Sequence, residues 1–162
     1  MLDKAIERDT IVIEEKAHKI YKTLTEGKNI HSVPFRTMKD VFMWAVCLGV
    51  QQGKRKPLTA KKTTIFRWSQ LDSQIDIPLL KAIAIVESED INILLNRTEI
   101  LNIAEEYANG GIYELRDNLL TESGQPLWNI SRYFIPFPQK HIHISAPSQL
   151  IFCIIKSWIV LP

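Results

Sequence analysis

The segment that most restricts the fold is "TMKDVFMWAVCLGVQQGKRKPL", residues 37 to 58. Met38, Val41, Phe42, Ala45, Val46, Leu48 and Gly49 recur at helical spacing on one broad face, and Trp44 and Cys47 carry the apolar surface almost all round. A helix without a polar side is too apolar to lie in a DNA groove and has to be enclosed by a core or a subunit interface. Thr37 is placed to cap it, with Asp40 three residues on in the manner of a capping box. A chain of 162 residues can supply the enclosure, since a domain of this size removes roughly 70% of its unfolded surface from water. An apolar content of 46% with 23% charged residues argues against global disorder.

The flanking segments read as further short elements. Thr10, Ile11, Val12 and Ile13 form a β-branched run that predicts a short strand. From Glu14 the period changes: Ala17, Ile20, Tyr21 and Leu24 mark an amphipathic helix with Gly27 placed to end it, while Lys16, Lys19 and Lys22 fall elsewhere on that helix. Pro34 keeps Val33 out of helical conformation. Another helix should start close to Ile77, where Pro78 suits a first turn. "INILL" is ambiguous between helix and strand. "RTEILNIAEEYANGG" predicts a helix with Ile100, Ile103, Ala104 and Tyr107 on one side and Gly110 and Gly111 as its stop, followed by a turn or two in "IYELRDNLL". The expected fold class is mainly α: a small helical domain over residues 1–122 with a short N-terminal strand. Strand, helix, connection and helix over residues 9 to 52 look like a ribbon-helix-helix unit.

Charge is polarised along this domain. Lys54, Arg55, Lys56, Lys61, Lys62 and Arg67 meet no acidic residue in "KRKPLTAKKTTIFRW", which predicts a local positive surface, whereas residues 87 to 122 are predominantly acidic. The net charge of +2 is too small to indicate nucleic acid by itself, so the argument rests on where the charges sit. Residues 123–162 differ again: no Asp or Glu follows Glu122, and Pro126, Pro136, Pro138, Pro147 and Pro162 punctuate an apolar sequence. This C-terminal extension reads as an arm, a pair of edge strands or a non-native extension from an altered reading frame. Its longest apolar stretch holds Lys156 and falls short of the ~20 residues that span a bilayer, so no membrane segment is expected. Cys47 and Cys153 are far apart and form no metal or redox pattern, and the simplest expectation is a reduced, cytoplasmic protein.

Chemistry-bearing patterns are few. If Ile11 and Ile13 face the core, then Arg8, Thr10 and Val12 face outward, where Arg and Thr can read base edges and Val can touch a thymine methyl; a purely structural strand is the competing reading. The basic residues after Gly53 can contact phosphates, or can simply stabilise a helix end through its dipole. Apart from Phe66 and Trp68 there is no interleaved aromatic platform. Glu14 and Lys16 match the E-x-K arrangement of metal-dependent nucleases, but Asp3 and Asp9 leave almost no chain for the additional carboxylate, and helix-surface charges are the better reading. His141 and His143 would share a strand face without a third ligand. Asp72 and Asp76 read as a helix entry. No phosphate loop, nucleophile elbow or Cys-His pair appears. No enzyme activity, cofactor or metal is expected.

"PFRTMKDVFMWAVCLGVQQGKRKPL", "SQIDIPLLKAIAIVESEDINILL" and "IAEEYANGGIYELRDNLL" carry a resemblance over roughly residues 9 to 122. In that order they resemble the bacterial DNA phosphorothioation-associated (dnd system-associated) protein 4 family. The resemblance implies a small accessory protein encoded beside a DNA sulfur-modification or restriction cluster and used against phage or foreign DNA, without implying a reaction. The residues beyond about 123 depart from the expected pattern.

The combined expectation is a non-enzymatic accessory protein whose partners are defence-system proteins and double-stranded DNA. Lys54, Arg55, Lys56, Lys61, Lys62, Arg8 and Thr10 are the expected DNA contacts. Phe42, Trp44, Val46 and Val50 are the expected homodimer interface, a symmetric dimer being the default assembly. The alternative is a ribbon-helix-helix regulator of the same gene cluster.

Overall fold

A computed structural model describes residues 7–26, 33–121 and 129. Strand β1 (Thr10–Glu14) leads directly into helix α1 (Glu15–Thr25), and helix α2 (Met38–Gln51) follows. Strand β2 (Lys62–Arg67), helix α3 (Asp76–Ser88) and the long helix α4 (Arg97–Arg116) complete the order. A 3-10 turn at Ile91–Leu95 joins α3 to α4, and α4 closes in a π turn at Asp117–Thr121. The mainly helical fold class expected from the sequence is the one observed. The expected second unit, 123–162, and its histidines His141 and His143 lie outside the described residues, apart from Asn129.

Helix α2 is the centre of the molecule. Every residue from Val41 to Gly49 is buried. Its start is fixed as expected: the Thr37 hydroxyl accepts from the Asp40 N–H at 3.2 Å, and the Asp40 carboxylate accepts from the Thr37 N–H at 3.0 Å. Thr37→Ala removes one half of that box and is expected to cost about 1 kcal/mol. Urea unfolding checks this, and an unchanged midpoint would mean that packing alone sets the start of α2.

The enclosure comes from within one chain. Phe42 and Val46 are inaccessible to solvent, Trp44 is 7% exposed, and Val50 is partly buried against the same core. Phe42 meets Phe66 of β2 edge-on at 5.4 Å between ring centroids, and Trp44 meets Phe35 at 5.7 Å. The surface expected to seat a second copy is therefore occupied by the chain's own α4, α1 and β2, because a helix apolar on all sides is satisfied as well by its own chain as by a partner. Cys47 is buried there as a free thiol, and burial, with the Asp76 charge adding to it, pushes its pKa up to about 12.

The helix α4 runs through the two glycines expected to stop it. A Cβ on Gly111 would overlap the Ala45 carbonyl oxygen, and one on Gly49 would overlap the Tyr107 carbonyl oxygen. These glycines let α2 and α4 approach backbone to backbone, so their lack of a side chain serves packing and not termination.

The strand β1 also finds its partner within the chain. It pairs antiparallel with β2, Thr10 opposite Arg67 and Glu14 opposite Lys62, with a register shift between Ile11 and Val12. Ile11 and Ile13 point into the core, as the alternation required. A ribbon-helix-helix unit needs its strand paired with a second chain, and here that edge is taken by β2.

Candidate functional site

The basic connection between α2 and β2 passes over the acidic face of α4, and the two charge blocks meet. Lys54 Nζ lies 2.8 Å from a Glu114 carboxylate oxygen. Arg55 bridges two carboxylates, at 2.5 Å to Glu106 and 2.7 Å to Glu87. Glu87 also accepts a short hydrogen bond from the Tyr107 hydroxyl, which, with help from Arg55, holds its carboxyl below the ordinary range. Burial, then the Glu87 bond, pushes the Tyr107 phenol up to about 12. The Asn109 amide donates to the carbonyls of Lys56 and Pro57, fixing the path of the connection.

The far end of the connection is clasped by Glu14. Its carboxylate is 1% exposed and accepts from the N–H groups of Thr59 and Ala60, at 2.9 and 3.1 Å, and from Lys16 at 2.7 Å. Against the cost of burial, the bonds from Lys16, Ala60 and Thr59 keep its pKa below the ordinary value. The E-x-K pair is thus a structural clasp. Among the described residues no group of three or more His, Cys, Asp or Glu is placed to hold a metal ion, and no helix is long and apolar enough to cross a membrane.

Of the expected DNA contacts, most are engaged internally. Besides Lys54 and Arg55, Lys61 pairs with Glu15 at 3.0 Å. Arg8 turns onto α4, where its guanidinium meets the buried Glu105 carboxylate at 3.0 Å. Glu105 also accepts the Val12 N–H at 2.8 Å, so the outer edge of β1 is tied to α4 and Thr10 sits half-buried at the strand's start. The expected uncompensated positive surface is therefore largely neutralised, since basic residues far from acids in sequence were brought against them by the α2–α4 packing. Lys56 and Lys62 remain exposed with no ion-pair partner among the described residues.

A second set of cations converges where the sequence had named no site. Lys16, Lys19, Ile20 and Thr23 of α1 face Tyr113, Arg116 and Leu120 at the end of α4 across an open groove of about 410 Å³. The Arg116 guanidinium lies 5.4 Å from the Tyr113 ring centroid and 2.6 Å from Asp117. Lys19 has no ion-pair partner among the described residues. Lys61 and Lys62 stand opposite Glu15 and Glu14 at the head of the helix that carries Lys16. The groove thus offers three cations, a hydroxyl and an aromatic face, a donor set suited to a phosphodiester backbone. The three-residue spacing of Lys16 and Lys19 was a readable signal. Arg116 and Tyr113 could join them only through the fold.

The family description "DNA sulphur modification system-associated protein 4" matches residues 11–144. The chain belongs to this family. The match runs past residue 122, where the sequence resemblance had been placed, so the family's pattern includes part of the Pro-rich segment. No match was found among curated proteins or solved structures. Membership of the DNA sulphur modification system-associated protein 4 family ties the chain to that modification system; the groove between α1 and α4 is the part of its surface with chemistry suited to DNA.

Proposed function

We propose that this chain is a non-enzymatic accessory protein of a DNA sulphur modification system, used in restriction of foreign DNA, that holds duplex DNA by its backbone in the α1–α4 groove. The observation that carries the reading is the convergence of Lys16, Lys19 and Arg116 beside Tyr113, in a member of a family named for association with DNA modification. Lys56 and Lys62 are the residues of the basic connection still able to add phosphate contacts. The regulator reading has lost its main support, since β1 is paired within the chain.

The test is a binding titration with plain and phosphorothioated duplexes at two salt concentrations. Lys19→Glu combined with Arg116→Ala is expected to weaken binding by about tenfold or more and to reduce the salt slope by about two, one per lost phosphate contact. Lys54→Ala with Arg55→Ala is expected to change the slope little, because those charges already face carboxylates. If neither duplex binds the wild-type chain at low salt, DNA contact is ruled out and only protein partners remain.

A further inference from the structure

The outward face of α3 is apolar. Ile75, at the helix entry, Pro78, Ala82 and Val86 recur at spacings of three and four, are all exposed, and so share one helix face. Val86 is 74% exposed, and the 3-10 turn packed against this helix adds Ile91 at 61% and Leu95 at 82%. Four exposed large apolar side chains on one helix and its adjoining turn are unusual for a surface with no partner.

The rim of this face has one sign. Asp72, Glu89 and Asp90 are exposed around it, while Lys81 is the basic residue of α3 itself. Asp72 and Asp90 cap backbone N–H groups, at Gln74, Ile75 and Asn92. Glu89 is different. It occupies the C-cap of α3 with φ 54°, a left-handed conformation that glycine or asparagine normally supplies, and its carboxylate stands at the negative end of the helix dipole. Its side chain has no partner among the described residues. Both the backbone and the charge at this position are unfavourable within the chain, and a cation brought by a partner would offset the charge.

The geometry points to α3 as the docking surface for an apolar helix with Lys or Arg flanks, supplied by a protein of the DNA sulphur modification system. This rests on the accessory reading above and names its protein partner. A second copy of the chain fits less well, because an antiparallel pairing of α3 with itself would bring Glu89 and Asp90 of each copy toward Asp72 of the other. At 13 residues α3 is about 20 Å long, enough to seat three turns of a partner helix.

The experiment measures binding of the full chain to each purified protein of the modification system, with wild type, Val86→Glu combined with Leu95→Glu, and Glu89→Lys. One protein should bind the wild type, the double variant should bind it at least thirtyfold more weakly, and Glu89→Lys should weaken it about fivefold with a flatter salt dependence. Both variants alter exposed positions, and unchanged thermal melting would confirm that they are folded. Photo-crosslinking from position 86 should map to an apolar segment flanked by Lys or Arg. Wild-type binding to none of the proteins, equal binding by the double variant, stronger binding by Glu89→Lys, or a crosslink to another copy of the chain would overturn the inference. DNA titration on the same samples separates the two ideas: intact DNA binding with no protein binding removes only the docking surface, and loss of both removes the accessory reading.

Discussion

Gly111→Ala is expected to destabilise the chain by about 3 kcal/mol and to lower its Tm by roughly 10 °C. The added methyl would sit on the Ala45 carbonyl oxygen and against the Gly49 nitrogen, both backbone atoms of α2 that cannot rotate away. Separating α2 from α4 to make room would loosen the most extensive packing in the molecule, that of the fully buried stretch Val41 to Gly49. On an isolated helix the same change would be favourable by about 1 kcal/mol, so the sign itself discriminates between helix propensity and close approach. Gly53→Ala is the control. Nothing lies within 4 Å of a Cβ there, and its φ of +60° confines the loss to backbone strain of about 1 kcal/mol. A Gly111→Ala protein as stable as the wild type would mean that the two helices do not meet at this residue.

Glu105→Leu is expected to cost about 3 kcal/mol, because it strands the partly buried Arg8 guanidinium and leaves the Val12 N–H without an acceptor. Glu105→Gln keeps one acceptor and should lose less, but it should change the response to pH. Burial raises the Glu105 carboxyl from 4.5 to about 7, against the opposing bonds from Val12 and Arg8. Between those values the folded chain holds a proton that the unfolded chain has released, so stability falls as pH rises through the window, by roughly 2 to 3 kcal/mol. Glu14 and Glu87 have the opposite sign. Their pKa values lie below the ordinary 4.5, so the stability they contribute is present above that pH and is lost as pH falls through their folded values. Urea unfolding at pH 5 and pH 7.5 should show a larger decline for wild type than for Glu105→Gln. Parallel profiles for the two proteins would show that Glu105 does not titrate in that range.

Local periodicity made several elements legible. The α1 stripe of Ala17, Ile20, Tyr21 and Leu24, the Thr37–Asp40 capping box and the first-turn Pro78 in α3 are properties of a few consecutive residues, and the fold uses each as the sequence indicated. β2 was missed, although "KTTIF" is a β-branched run, because its lysines drew the stretch into the reading of a basic exit. Gly110 and Gly111 were read as a stop because a glycine pair looks the same whether it ends a helix or lets another backbone approach.

The sequence by itself determined that the chain is mainly helical, that α2 must be enclosed, and which family it belongs to. Those depend on side-chain period and on family-specific stretches, both of which are written in order along the chain. Only the tertiary structure decided what encloses α2, which charges remain available, and where cations gather. Lys54 and Glu114, Arg55 and Glu106, and Lys19 and Arg116 are distant in sequence, and charge is neutralised or concentrated by distance in space. The packing of α2 on α4 thus neutralised much of the expected DNA surface, and the packing of α1 beside the end of α4 assembled another.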